Sequence, residues 1–270
     1  MKRYIFSAIA ALAAILPISA QENTNQQEES KPLSRTQALI NASLKNWEIE
    51  LRAGYQLGGI SPIPLPKEIR SLDSYKPTVP LTFEANATKR FGYNNKWGVM
   101  FGIKFENKNM DTKATTKNYS MEIIGDDGAK VAGRWTGGVQ TSVRNSYLTF
   151  PVTGVYRVHP RTNIKLGMFF SYLLDGKFNG YVYDGYLRQD DPTGLKAEFE
   201  GDNVATYDFS EHLRQFQYGV QAGVDWTAFK HLKVYADLTW GLNDAFHSGF
   251  KTITFDMYPI YFNIGAGYIF

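Results

Sequence analysis

Four histidines, His159, His212, His231 and His247, are the side chains in this sequence best suited to moving protons near neutral pH. With Ser248 or Ser210 and a nearby aspartate, His247 has the residue types of a Ser-His-acid relay, in which imidazole takes the hydroxyl proton as the oxygen attacks an acyl carbon. No serine stands in a nucleophile-elbow sequence, however, and the neighbours of each histidine are ordinary loop residues. Asp190-Asp191-Pro192-Thr193-Gly194 and Gly125-Asp126-Asp127-Gly128 carry carboxylates suited to calcium but lack the alternating spacing of an EF-loop. Turn chemistry explains both, with Gly128 and Gly194 supplying backbone freedom. The expectation is no catalytic residue, no metal ligand set and no cofactor.

The elements that would carry these residues are strands. The last ten residues alternate strictly: Phe262, Ile264, Ala266, Tyr268 and Phe270 fall on one face, and Tyr261, Asn263, Gly265 and Gly267 on the other. One greasy face backed by a small or polar one suits a wall between lipid and a polar interior. The same pattern, ending on Phe270, resembles the terminal signature of bacterial outer-membrane barrels, which implies recognition by the barrel-assembly machinery through this strand.

Seven more segments alternate in the same way. They lie near 45–57, 80–91, 97–107, 144–157, 164–174, 216–226 and 232–242. Pro151 should bring a bulge or a broken ladder to the fourth. Connections alternate short and long. Three turns, at 92–96, 159–162 and 227–231, would be periplasmic and would hold His159 and His231; four loops near 58–79, 108–143, 175–215 and 243–257 would face outside and hold His212 and His247. Tyr119–Ile124 and Lys130–Trp135 read as a hairpin that prolongs the barrel outward. The expected fold is an all-β, eight-stranded, antiparallel up-and-down transmembrane barrel over 45–270. If odd strands rise and even strands descend, Trp47, Phe91, Trp97, Tyr156, Trp226 and Phe270 all reach the periplasmic rim facing lipid, where an aromatic girdle forms. Lys89 sits near that rim and can snorkel.

On the opposite faces lie Glu48, Glu50, Glu84, Glu106, Asp225 and Asp237, against Arg52, Lys104, Arg157, Lys165 and Lys233. An eight-stranded barrel has room inside only for side chains. Near-balanced charges there point to a paired, sealed interior more than to a pore. Gly219, Gly223, Gly265 and Gly267 would let the strands curve around larger neighbours.

The N-terminus fits export. Lys2-Arg3, the apolar run Tyr4–Leu16 and Ile18-Ser19-Ala20 have the form of a signal peptide over residues 1–20, with a retained helical anchor as the alternative. The run is shorter than the ~20 residues a spanning helix needs. Residues 21–44, rich in Gln, Asn, Glu and Ser, read as a flexible periplasmic leader with a short helix near Ser34–Ile40. Taking Lys2 and Arg3 from the 29 bases leaves 27 against 26 acids, a net of +1, so no field draws nucleic acid. Without cysteine the chain is neither a disulfide scaffold nor a lipoprotein anchored through that residue. Its 17 Tyr, 18 Phe and 5 Trp accompany a mean hydropathy of -0.32, which a helical membrane protein would not show but a barrel with a polar lumen does.

Gly58-Gly59-Ile60-Ser61-Pro62-Ile63-Pro64-Leu65-Pro66 with Glu68-Ile69-Arg70 and Tyr75-Lys76-Pro77, Gly137-Gly138 leading into Tyr147-Leu148-Thr149-Phe150-Pro151, and Leu174-Asp175-Gly176-Lys177-Phe178-Asn179-Gly180-Tyr181 resemble the PorT family of outer-membrane barrels found in Bacteroides-type bacteria. The resemblance spans nearly all of 45–270, with Phe150 where the pattern has Leu or Ile. It implies an outer-membrane accessory or surface protein, of which the best-known member assists type IX secretion, and it carries over no catalytic residue. Tyr181, Tyr183, Tyr186 and Tyr207 on the long loops suit contact with an envelope protein or glycan, or else pack as a cap. A small transporter or pore, a lipid-modifying barrel enzyme and a soluble lipocalin-like barrel are the competing readings.

Overall fold

In the computed structural model, residues 46–270 are described, apart from 125–127, 129, 192 and 202. The expected signal peptide and leader lie outside the described residues, as does most of the turn at 125–128. Alternating sequence becomes eleven strands: β1 (Trp47–Pro62), β2 (Ile69–Lys76), β3 (Leu81–Phe91), β4 (Trp97–Ile124), β5 (Lys130–His159), β6 (Thr162–Gln189), β7 (Lys196–Phe199), β8 (Ala205–Asp208), β9 (Phe216–Thr227), β10 (Leu232–Gly241) and β11 (Met257–Ile269).

Eight of them close a ring in the order β1, β3, β4, β5, β6, β9, β10, β11 and back to β1, every neighbour antiparallel. Up to the level of the Tyr55↔Leu81 pair this closure leaves no strand edge in the wall, which is what a sheet needs in hydrocarbon. The seam between first and last strand runs from Glu50↔Ile269 to Pro62↔Met257. The expected eight-stranded barrel is therefore present, with β2, β7 and β8 added to it at the outer end.

The three short turns fall where expected, between β3 and β4, β5 and β6, and β9 and β10. The first uses Gly92, Asn94 and Asn95 at positive φ, residues that tolerate the left-handed region. Three of the four expected long loops need correction. Segments 108–143 and 175–215 are largely strand, because β4, β5 and β6 run for 28, 30 and 28 residues; 58–79 contains the end of β1 and all of β2. At ~3.3 Å a residue such strands reach roughly 90 Å, whereas a tilted strand crosses a bilayer in about 9–11 residues. The expected hairpin is the tip of β4 and β5, which pair as far as Ile124↔Lys130.

The physical reason lies in a reversal of faces. In the lower part of the ring the large apolar residues point outward, as with Leu51, Phe83, Phe101 and Leu166, all at least two-fifths exposed. Charges point inward. In the upper part the same strands turn apolar residues inward: Met110, Tyr119, Trp135, Val139, Phe178 and Val182 form one buried cluster. On β4 the change is one of residue type on a single inward face, where Lys108 is followed by Met110; parity itself shifts at irregularities. The β4–β5 register shifts between Thr116 and Tyr119, where Asn118 has φ 56°, and the β5–β6 register shifts opposite Leu174. The segment 242–256, the one expected loop without a named strand, sends Ala245, Phe246 and Ile253 into this upper core.

Pro151 breaks the ladder, as anticipated, by interruption. Phe101↔Val152 and Lys104↔Thr149 are paired, while Gly102 and Ile103 opposite Pro151 and Phe150 are not, and no residue is inserted.

Candidate functional site

The interior of the lower ring is filled by one ion-pair network. Arg52 of β1 donates from Nε to Glu50 Oε1 at 2.8 Å and from Nη2 to Asp225 Oδ2 at 3.1 Å, with Nη1 3.6 Å from Asp237. Lys165 of β6 bridges Asp225 and Asp237, 2.7 Å from each. Lys233 of β10 reaches Glu48 at 2.5 Å and Glu50 at 2.8 Å, and Arg90 of β3 closes on Glu48 at 3.5 Å. Four acids thus meet four bases. Removing such charges from water is costly, and the pairing offsets that cost; the network is a neutral filling before it is a source of stability.

Glycines make the space. Arg52 lies opposite Gly267, and Asp237 and Lys165 both lie opposite Gly223, where an added Cβ would run into the Asp237 carboxylate. Small residues across from large ones are how a narrow barrel accommodates its contents.

Above this network, Glu106 of β4 accepts from Lys104 at 2.7 Å, from Lys108 at 3.2 Å and from the Thr149 hydroxyl at 2.6 Å. The Lys108 ammonium is ringed by Tyr147, Phe169 and Tyr261, at 4.8, 5.1 and 5.6 Å from their centroids, each buried. Cation–π contact compensates a desolvated ammonium here. Sequence reading placed Glu48, Glu50, Glu84, Glu106, Asp225, Asp237, Arg52, Lys104, Lys165 and Lys233 on this side; Arg157 is only half-buried. It missed Arg90 and Lys108, both buried, although each continues the alternation of its own strand by one more step.

On the outer extension, the tyrosines divide. Tyr207 faces inward and is buried, its hydroxyl donating to Gln140 O at 2.9 Å. Tyr181, Tyr183 and Tyr186 lie on the other face of β6. There Tyr181 donates to Gln140 Oε1 at 2.6 Å, Lys113 sits 5.7 Å from the Tyr183 ring, and Lys196 4.6 Å from Tyr186. Tyr207 is thus packed inside, and the other three stand half-buried on the outer wall.

Among the described residues no histidine is bonded to a serine hydroxyl. His212 Nδ1 lies 3.2 Å from His247 Nε2, and His247 Nδ1 accepts from the Gly249 N–H. The Ser210 hydroxyl donates to Asp208, and His231 Nδ1 faces the Ile269 carbonyl at 2.9 Å. Asp191 Oδ1 accepts from both the N–H and the hydroxyl of Thr193 at 2.7 Å, a closed turn.

The residues assigned to a girdle occupy one end of the ring. Phe91 pairs with Trp97, which pairs with Tyr156, and the Trp97 and Tyr156 rings are 4.5 Å apart. Trp47 (beneath Lys89), Trp226 and Phe270 lie at the same end of their strands, exposed. On β11, Phe262, Ile264 and Tyr268 are exposed on the outer face with Ala266 between them, Phe270 follows just past the strand's end, and the Tyr268 and Phe270 rings are 5.0 Å apart.

A contiguous outer band of exposed Trp, Phe, Leu and Ile around buried charges is the inverse of a water-soluble barrel. Among solved structures, the chain is similar to Ail, the attachment invasion locus protein of Yersinia pestis, at 14% identity over 83% of this chain and 99% of that one, with a TM-score of 0.36. It is similar to Neisserial surface protein A (9%, 84% and 98%, TM-score 0.32) and to OprG of Pseudomonas aeruginosa (12%, 83% and 95%, TM-score 0.30). No curated protein matches. Residues 20–247 match the family described as outer membrane protein beta-barrel domain, and the chain, a barrel of the outer membrane, belongs to that family.

Proposed function

We propose that this protein is a non-enzymatic accessory or interaction protein of the cell envelope, held in the outer membrane by its lower ring and working through its outer extension. The observation that carries this reading is the filled axis. Paired charges from Glu48 to Lys165 and the aromatic ring around Lys108 occupy the space a solute would need. What is left to meet other molecules is the surface. The extension suits that role because its strands share a packed core, so that Tyr181, Tyr183 and Tyr186 are held on a firm wall ready for an envelope protein or glycan.

The PorT-like loop residues support a narrower assignment, to machinery of the type IX secretion kind. In the same reading, β11 with Phe270 is the segment presented to the barrel-assembly machinery, and Trp47, Phe91, Trp97, Tyr156, Trp226 and Phe270 anchor the periplasmic lipid boundary.

Cross-linking followed by affinity purification from gently solubilised envelopes tests the proposal, alongside comparison of secreted proteins with and without the gene. A stable envelope partner is the expected result. Absence of any partner together with an unchanged set of secreted proteins refutes it. Steady conductance in planar bilayers would refute the filled axis and favour a pore, and altered outer-membrane lipids that depend on His212 or His247 would favour an enzyme.

A further inference from the structure

β1 and β3 remain paired only as far as Tyr55↔Leu81, with one further bond from the Gln56 N–H to the Pro80 carbonyl at 3.1 Å. Above that level β1 continues to Pro62, bonded to β11 on one side. On its other side β2 has taken the place of β3 beside β4, and among the described residues β1 and β2 form no ladder. The wall is therefore split along this line. Two side-chain bonds cross the split, from the Tyr75 hydroxyl to the Gly58 carbonyl at 2.7 Å and from the Ile60 N–H to the Met110 sulfur at 3.3 Å.

Behind the split lies a cavity of about 320 Å³. Its back wall belongs to the upper apolar core, with Met110, Phe178 and Met257. Met110 can lie flat against β1 because Gly59 has no Cβ; one placed there would come within 2.7 Å of the sulfur. The polar side chains of the lining are hydroxyls, such as Thr112 and Thr116, and none is charged. At the mouth stand Leu65 and Leu72, 66% and 64% exposed.

We propose that this cavity holds a single acyl or alkyl chain, which enters sideways through the β1–β2 split. An uncharged, mostly apolar lining selects against ionised solutes, since no group there offsets the loss of hydration. The entrance continues the lipid-facing surface: Tyr55 and Leu81, directly beneath the split, and Val79 beside them are all 46–52% exposed. A chain lying against that surface meets apolar contact all the way to the mouth. The route along the barrel axis is filled by Lys108 and its aromatic ring.

Photo-cross-linking in phosphatidylcholine bilayers tests this. One preparation carries trace phosphatidylcholine with a diazirine at the end of an acyl tail, and a second carries a free diazirine fatty acid. Peptide mass spectrometry should find adducts on inward-facing Met110, Thr112 or Thr116 in addition to the outward-facing band. Labelling by the lipid probe assigns the chain to the bilayer, and labelling by the fatty acid alone assigns it to a free amphiphile. Ala114→Trp, which fills the cavity, and Leu72→Glu, which charges the mouth at an exposed position, should each cut inner labelling at least tenfold while outer labelling stays unchanged. Adducts confined to the outward-facing band in the wild-type protein with both probes, or inner labelling unaffected by Leu72→Glu in a folded barrel, overturn the proposal.

Discussion

Replacing Arg52 by Met should destabilise the barrel more than any change on its lipid face. The guanidinium is bonded to Glu50, through Nε at 2.8 Å and Nη2 at 3.0 Å, and to Asp225 at 3.1 Å, with Asp237 at 3.6 Å. Methionine fills much of the volume but leaves four acids against three bases in a space closed to water. Lys233 still serves Glu50 and Lys165 still serves the two aspartates, so one negative charge goes uncompensated. Removing one partner of a buried pair costs about 3–5 kcal/mol. That is roughly a hundredfold to several thousandfold in the folding equilibrium. Urea titration of protein folded into phospholipid vesicles, read by the mobility of unboiled samples on gels, measures it. Adding Asp225→Asn restores the charge count, and the double variant should be more stable than the sum of the single losses by about 0.5–3 kcal/mol. A loss under ~0.5 kcal/mol for Arg52→Met, of the size seen at ordinary surface sites, would show that the network does not neutralise itself as described.

Trp135 is completely buried in the upper core with its ring 5.7 Å from Phe199, so Trp135→Ala should cost about 3–5 kcal/mol there. Hydrogen exchange should quicken in β4 and β5 above Tyr119 and remain slow in β9 to β11. Gly223→Val should block assembly, because the new side chain would occupy the place of the Asp237 carboxylate; the folded fraction recovered in vesicles measures this. In the extension, Asp111 accepts from Arg144 at 2.6 Å and Ser142 at 2.8 Å, and the Arg144 bond foremost holds its carboxyl below the ordinary value. A lowered folded value means the stabilisation is complete above the usual aspartate range near ~3.9 and is lost as pH falls through the folded value. Melting of the extension, followed by near-ultraviolet dichroism, should thus show an acid-sensitive step below about pH 4 that Asp111→Asn removes.

The membrane ring was legible because hydrocarbon outside and a narrow polar lumen impose a strict two-residue rule. Leu51, Ala53 and Tyr55 against Glu50, Arg52 and Gln56 is a pattern few other environments produce. Beyond the hairpin at its tip, Tyr119–Ile124 with Lys130–Trp135, the extension was not legible for three physical reasons. Its apolar residues face inward, so the sense of the alternation reverses. The bulges at Asn118 and Leu174 shift parity midway along a strand, so Lys108 and Met110 no longer share a phase with Met121 and Ile123. Runs such as Thr112–Thr116 and Gly176–Gly180 contain the Thr, Asn and Gly that also make loops. The charged interior was read almost in full; of its two omissions, Lys108 lies one residue past the expected end of its strand, and Arg90 lies inside the expected strand 80–91, one step after Thr88 on the inward face. The cavity behind β1 was not readable at all. It depends on β2 pairing with β4 in place of β1, a long-range choice that no local pattern in residues 58–79 specifies.

The reversal of faces also bears on how the molecule divides its work. A strand such as β4 presents Phe101 and Phe105 to lipid, Lys104 and Glu106 to the lumen, and then Tyr119, Met121 and Ile123 to a core of its own. The same backbone therefore passes through two solvents, and each half takes the polarity that its surroundings require. In the lower half the charges must neutralise one another, which fills the axis with paired side chains. In the upper half water outside permits a packed apolar interior, which makes the projecting wall rigid and leaves room for an uncharged cavity. A filled base and a firm, partly hollow top are two consequences of one boundary. The proposed interaction role draws on the outer half of that boundary, and the bore is given over to charge pairing.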